Sequence, residues 1–560
     1  MDRKEVLDRL KANSEISVLI IGAGINGIGT FRDLALNGVD TLMVDKGDFC
    51  SGASAASSHM AHGGIRYLEN GEFRLVHEAV QERNRMIENA PHRVRPLPTT
   101  IPIFKIWSGL LNAPLKFLNL LDRPSERGAI VIKVGLIIYD SYTRRQKTVP
   151  PHQFHGRSIS LQKYPLLDGG VKFTATYFDG QILSPERYSI DLIQDARSEG
   201  KHAMALNYAR VKQSDDGYVT IVDELTNETY TVKPKVIVNA AGPWIDIVNS
   251  GLGVNEQYIG GTKGSHLVVD VPELREAIGD HEFFFENKDG RIVLIFPFYD
   301  KVIIGTSDLP VKDVDDVVCS PEEEQYFIDL VARIFPSIKI SKENIVFRFS
   351  GVRPLEYSKA KTTGQISRDH SIKHDQFGQI PVLSLVGGKW TSFRAFSSQV
   401  TDEVLGLLGK VRKTGTEDLK VRGGLAYPRT QIEKDEWVEN LAEESGFSNQ
   451  YSAALFERYG TNATEVAREV NEISTEPLTS ITDWTRGEVI SLVHNEDVVH
   501  LDDLFQRRSS IAWVGALNLA VLDEMAAIVA HELGWSEDRK SAEIQRTIDE
   551  MREKHGIVLV

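Results

Sequence analysis

The sequence predicts an α/β protein that opens on a dinucleotide-binding unit and closes on a separate helical domain. Three observations carry this. A strand, a glycine turn, a helix-like stretch and a second strand succeed one another in "VLIIGAGINGIGTFRDLALNGVDTLMVD", Val18 to Asp45. Short strand patterns dominate from 203 to 308. After about residue 400 charged amphipathic stretches such as "KDEWVENLAEESG" and "EDRKSAEIQRTIDEMREKHG" take over, and strand signals nearly vanish.

At 560 residues the chain exceeds one core of ordinary size, so two or three domains are expected. Its 41% hydrophobic and 26% charged content are those of a soluble globular protein. The net charge of −15 argues against nucleic acid as a partner and means that an anionic ligand needs a local cluster of Arg or Lys. Cys50 and Cys319, far apart, fit a reducing cytoplasm and give no disulfide framework. The charged start "MDRKEVLDRLKANSE" is not a secretory signal. No stretch reaches a membrane span, and Ser509–Leu522 reads as a short buried helix.

Along the chain, residues 72–90 space apolar side chains at helical intervals and stop before Pro91. Residues 101–142 include "IFKIWSGLLNAPLKFLNLL", rich in Leu with Trp107, Phe117, Lys105 and Lys116, and then "AIVIKVGLIIY". Residues 186–199 look helical and close on Gly200. "DDG" and "TNE" turn the strands of 203–240, and "KVIVNAAG" is a buried strand ending in small residues. "KDG" and "FYDK" turn those of 264–308. Ser320-Pro321-Glu322-Glu323 offers an N-cap, a first-turn proline and a capping-box acid for a helix through about Ile334. "IVFRFSGVRPL" and "PVLSLVGG" are strand-like.

Gly22, Gly24 and Gly27 form G-x-G-x-x-G between strand and helix. The first permits the turn, the second lets backbone approach a pyrophosphate, and the third lets helix and strand pack closely. Asp45 closes the next strand, where an acid accepts hydrogen bonds from ribose hydroxyls. The segment after Asp45 favours FAD over NAD. "KGDFCSGASAASSHMAHGGIRYL" (Lys46–Leu68) is small and polar, suited to run beside an extended cofactor. "NAAGPW" (Asn239–Trp244) and Gly387-Gly388-Lys389-Trp390-Thr391 add two further strand-end sites of close approach. Trp390 stands where a P-loop needs Ser or Thr, and His59 with His62 lacks a third ligand for a metal.

"SSHMAHGGIRYLENGEFRLVHEAVQER", "NAAGPW", "KGSHLVV", "IIGTSD", "FSGVRPL" and "LVGGKWTSFR", in this order and spacing, resemble the FAD-dependent sn-glycerol-3-phosphate dehydrogenases. The likeness covers residues 16 to about 400, and the helical tail resembles that family's C-terminal domain. It implies a discontinuous Rossmann-like FAD-binding domain with an antiparallel β-sheet substrate domain, of the D-amino-acid oxidase and glycine oxidase type. The division expected is 14–400, with FAD-binding parts about 14–100, 150–262 and 345–400 and substrate parts about 101–149 and 263–344, then a helical domain at 405–560.

The resemblance also implies oxidation of glycerol 3-phosphate to dihydroxyacetone phosphate, electrons passing through FAD to a membrane quinone. It implies a homodimer attached peripherally to the inner, cytoplasmic face of the cell membrane. Expected FAD contacts are Gly22, Gly24, Ile25, Asn26, Gly27, Asp45, Lys46, Ser57, Ser58, Gly63, Val211, Ala241, Gly242, Gly388, Lys389, Trp390 and Thr391.

Arg66, Arg353 and Arg368 stand in motif positions suited to grip a phosphate, and Tyr67 either offers a hydroxyl or packs. Lys389 is expected near the flavin ring or substrate, where a cation favours reduced flavin. His266 reads two ways, as acceptor of the alcohol proton or as a hydrogen-bonded core histidine. Arg66, His266, Arg353 and Lys389 are the catalytic candidates. Residues 104–121 suit the headgroup layer or a helix packed in the core or at a dimer interface, and the quinone that the resemblance implies favours the first. An oxidase reducing oxygen to peroxide shares most of these motifs. An amine oxidase of the glycine oxidase type needs about one arginine for its carboxylate, so three argue against it.

Overall fold

The computed structural model describes residues 1–65, 72–108, 128–143, 148–215, 217–287, 291–311, 313–315, 317–358 and 369–560. Arg66, Tyr67, Lys116, Phe117, Arg368 and the turn at 288–290 lie outside these described residues.

Two sheets organise the chain. The first runs in the order Ser371–Phe377, Ile380–Val386, Thr229–Asn239, Glu15–Ile21, Thr41–Val44, Ala203–Leu206. From Ile380–Val386 onward these strands are parallel, while Ser371–Phe377 turns back antiparallel on the edge. Parallel strands need crossover connections that cover both faces, so these strands are apolar on both sides. Val18 and Ile20 pack under the helices Ile25–Leu36, Pro185–Ser198 and Phe393–Leu407. Leu19 and Ile21 face the opposite way, toward the helix Arg3–Ala12 and the hairpin Ala209–Asp223.

The second sheet is mixed and mostly antiparallel. Its order is Leu309–Pro310, Thr262–Val269, Lys301–Gly305, Ile292–Phe298, Glu282–Glu286, Val94–Ile103, Phe173–Ile182, Met60–Ala61, with Ile345–Arg353 also paired to Thr262–Val269. Phe173–Ile182 and Ile345–Arg353 fall in spans expected on the cofactor side, yet both pair into this sheet. Alternation sorts its faces. Leu267, Val269, Val293 and Ile295 pack on the helix Pro321–Ile334. Val268, Leu294, Phe296, Phe347 and Phe349 pack instead on the C-terminal helices.

Helix ends behave as the sequence indicates. Ser320 Oγ accepts the Glu323 N–H, and the Glu323 carboxylate accepts the Ser320 N–H, closing the capping box. From Gln431 to Glu553 the described elements are helical and enclose a core joined to the second sheet. Ser509–Leu522, expected as one buried helix, is not continuous. Residues 511–515 form turns, Gly515 takes φ +72°, and the helix starts only at Leu519. Left-handed backbone interrupts the helix, and Asn518 Oδ1 accepts the Val521 N–H to begin a new one.

Candidate active site

The glycine turn sits at the C-terminal edge of the first sheet. Gly22 takes φ +104°, and a Cβ there would lie 2.6 Å from the Ala240 carbonyl oxygen, so only glycine fits between strand and neighbour. Gly24 starts the helix Ile25–Leu36 without a capping side chain. A helix end of this kind suits a phosphate, through its remaining backbone N–H groups.

Three other segments close on this turn. The Asp45 carboxylate accepts the N–H groups of Ala23 at 2.6 Å and Gly47 at 2.9 Å. A carboxylate accepts about four hydrogen bonds, so capacity remains for ribose hydroxyls. Burial raises the Asp45 pKa to about 6, against the pull of those two N–H groups. Ser54 Oγ accepts the Ile25 N–H at 2.9 Å, and the Ser54 carbonyl takes the Trp390 indole N–H at 2.9 Å. Asn26 Nδ2 donates to the Gly387 carbonyl at 3.3 Å and lies against Gly388. Asn26 Oδ1 and Thr391 Oγ1 are buried there without a hydrogen-bond partner. Unpaired buried acceptors in a glycine-lined cradle suit a polar ligand.

The second sheet supplies the other wall. His266 and Phe349 are register partners on adjacent strands, as are Gly264 and Gly351, and Thr262 and Arg353. Period-two alternation puts these residues on the face shared with Val268 and Phe347. The His266 ring stacks on Phe349 with centroids 4.6 Å apart and planes 5° from parallel. Its Nε2 lies 2.9 Å from Ser58 Oγ. Burial, then the charge of Arg353, holds its pKa well below the usual imidazole value, so the ring is neutral at pH 7. The Arg353 guanidinium lies over Gly264, where any Cβ would strike it. It donates to Asp308 at 3.2 Å, to the Thr306 hydroxyl at 2.9 Å and to the Ser307 carbonyl at 3.1 Å. Ala56 packs on Gly351, so the 53–58 segment bridges the two walls.

Thus the structure gathers Gly22, Gly24, Ile25, Asn26, Gly27, Asp45, Gly388, Trp390 and Thr391 around one cradle, with Ser58, His266 and Arg353 beyond it. Other expected contacts sit differently. The Lys46 ammonium is on Asp315 at 2.7 Å and over the Trp244 ring at 4.4 Å. Gly63 N–H donates to the buried Asp179 at 2.8 Å, and Ser57 Oγ accepts the His59 N–H at 3.3 Å. Val211 lies two residues past Ala209, whose N–H donates to the Asp45 carbonyl. Ala241 and Gly242 adjoin Ala240 beside the turn. Sequence reasoning does not single out Ser54 or the partners of Arg353, namely Thr306, Ser307 and Asp308. The motif "IIGTSD", which contains those last three, is the signal that could find them.

A dinucleotide cradle on a parallel sheet, facing a second sheet that presents an imidazole and a guanidinium, defines a two-sheet class of nucleotide-dependent proteins. Known proteins of this class match the chain. A model of FAD-dependent oxidoreductases matches residues 17–391, and one of the C-terminal domain of alpha-glycerophosphate oxidase matches 414–540. A glycerol-3-phosphate dehydrogenase of Synechocystis sp. is 33% identical over 95% of this chain and 96% of its own. An aerobic glycerol-3-phosphate dehydrogenase of Staphylococcus saprophyticus is 28% identical over 98% and 97%. The X-ray structure of the Bacillus halodurans glycerol-3-phosphate dehydrogenase, complexed with FAD, superposes with TM-score 0.75 at 24% identity, covering 98% of both chains. The chain belongs to the FAD-dependent oxidoreductases of the glycerol-3-phosphate dehydrogenase family. FAD is its cofactor, and the convergent cradle with its unpaired Asn26 and Thr391 oxygens fits that group.

Proposed function

We propose that the protein oxidises the secondary alcohol of sn-glycerol 3-phosphate to dihydroxyacetone phosphate and passes the electrons to a membrane quinone. The Gly22–Gly27 turn, Asp45 and Thr391 would hold FAD, which would supply the acceptor for the hydride of the middle carbon. The remaining work falls to the chain. The observation that carries the reading is a neutral, buried His266 on the same sheet face as a guanidinium. Neutral imidazole accepts the hydroxyl proton as the alcohol is oxidised. Stacking on Phe349 and the Ser58 contact fix its ring plane. Arg353, held by Asp308 and Thr306, directs a fixed charge at the substrate phosphate. Arg66, Tyr67 and Arg368, outside the described residues, complete the proposed grip, and Lys389 adds positive charge at the cofactor. The names of the curated relatives support the substrate.

Anaerobic titration tests this. Glycerol 3-phosphate should bleach the flavin absorbance, and glycine and D-alanine should not. Absence of bleaching by glycerol 3-phosphate, or bleaching by glycine, would overturn it.

A quinone acceptor calls for contact with lipid. No helix among the described residues is long and apolar enough to cross a membrane. Peripheral contact is supported by Trp107, 70% exposed, and by Ile130, Val134, Ile137 and Ile138, which line an exposed face of the helix Ala129–Thr143. That face suits the inner surface of the cell membrane, with a homodimer as the assembly. Replacing Trp107, Val134 and Ile137 with Ser should abolish flotation with liposomes; unchanged flotation of the folded variant would refute the contact. A second reading, oxygen as acceptor, is favoured by the C-terminal match to an alpha-glycerophosphate oxidase domain. Peroxide formed in near equal amount to substrate oxidised would decide for it.

A further inference from the structure

We infer that Asp48 is a positioning residue for the cofactor loop, and that arginines of the C-terminal helical domain hold it in place. This rests on the reading that Asp45 faces the ribose of FAD. Asp48 lies three residues after Asp45 and is buried. Arg508 binds it as a fork, Nη1 at 2.6 Å to one carboxylate oxygen and Nη2 at 2.9 Å to the other. Arg507 adds its Nε at 2.5 Å, and Asn207 Nδ2 donates at 2.8 Å. Arg507 is shared with Asp502 at 2.8 Å and Asp503 at 2.6 Å, and Arg546 pairs with Asp502 from outside. Burial alone would raise the Asp48 pKa, but Arg508 and then Arg507 hold it well below the carboxylate range.

A second tie runs in parallel. Tyr208 N–H donates to the Gly47 carbonyl at 2.8 Å, while the Tyr208 hydroxyl donates to Asp503 at 2.6 Å. The next residue, Ala209, donates its N–H to the Asp45 carbonyl at 2.6 Å. Thus the backbone that carries Asp45 is fastened to residues 503–508 twice, once through Asp48 and once through Tyr208.

A buried ion cluster is a poor source of stability, because desolvating the charges costs about as much as their pairing returns. What it does supply is geometry, since a bidentate fork fixes both distance and plane. The helical domain thereby sets the position of the Asp45 loop relative to the Gly22–Gly27 turn. Coupling of this kind is reciprocal. If segment 503–508 orders the loop, then FAD binding must order segment 503–508.

The test uses the full chain with and without FAD. In the unaltered protein, FAD should slow amide hydrogen exchange across 503–513 several-fold. Asp48→Asn should weaken FAD binding at least tenfold, measured by flavin fluorescence, and should abolish the added protection. Arg508→Lys keeps the charge but loses the fork, and should weaken binding roughly three- to tenfold. Should Asp48→Asn fail to fold, Arg508→Lys and the exchange experiment carry the decision. FAD affinity within twofold of the unaltered protein in a folded variant, or unchanged exchange at 503–513, overturns the inference. A chain that binds no FAD at all overturns the cofactor reading itself, and this inference with it.

Discussion

Ser58 Oγ and His266 Nε2 stand 2.9 Å apart, joining the cofactor-side loop to the strand Thr262–Val269 of the second sheet. The bond spans 208 residues of sequence. It aims the imidazole, since the stacked Phe349 ring fixes the plane and leaves rotation about one axis. Ser58→Ala should therefore lower kcat about tenfold with little change in KM. His266→Gln should lower kcat by roughly 10²–10⁴, the span of a lost general base. Steady-state kinetics with stopped-flow flavin reduction would check both; normal reduction by the His266 variant would remove it from the chemistry.

Arg353 is the described guanidinium on this face with donors fixed by three neighbours. Arg353→Lys loses the planar fork and should cost about 2 kcal/mol in kcat/KM, roughly thirtyfold. The loss should be smaller for glycerol, which has no phosphate to grip. Equal losses for both substrates would place Arg353 in a structural role.

FAD affinity should depend on pH through Asp45. Its pKa is raised to about 6, and the ribose hydroxyls need an acceptor. Below about pH 6 the carboxyl takes a proton and accepts less well, so the Kd for FAD should climb as pH falls. Asp45→Asn should bind weakly at every pH and show a flat profile. Fluorescence titrations from pH 5 to 8 would report both.

His59 should subtract stability as pH falls below about 6.5. This ring is buried against Phe298, Phe349 and Trp513, and burial pushes its pKa down to about 3. An unfolded histidine titrates near 6.5, so between about 6.5 and 3 the unfolded chain binds a proton that the folded chain refuses. Each pH unit lost in that window costs about 1.4 kcal/mol. Glu186 and Glu282, both raised to about 8 by burial, have the opposite sign: their contribution is present below the unfolded carboxyl value and fades as pH rises toward 8. The difference in Tm between His59→Leu and the unaltered protein should therefore shift in favour of the variant from about pH 6.5 to 5 and stay constant above about pH 7.5.

The cradle is legible in the sequence because its signals are local. The Gly22–Gly27 turn, Asp45 and the capping box at Ser320 each declare themselves within about two dozen residues. His266 and Arg353 are legible as motif members, but their common face is not. That needs the register of Thr262–Val269 against Ile345–Arg353, which a sequence read along its length does not contain. Asp308 as anchor of Arg353 escapes for the same reason. Asp48 and Arg507 are 459 residues apart, and each alone reads as an ordinary charged residue. The interruption before Leu519 escapes because "SSIAWVGALNLAVL" is uncharged and mostly apolar, and composition conceals the turn at Gly515.

The second sheet shares one hydrophobic core with the helices after Gln431, among them Phe347, Phe349, Trp513 and Leu522. Phe349 is also the platform under His266. A chain cut near residue 410 would thus bare the sheet face that carries His266 and Phe349. Such a fragment should be sticky and inactive rather than a miniature enzyme. Heat should melt both regions in a single transition, because one face of the second sheet and the helices after Gln431 bury each other in a shared core.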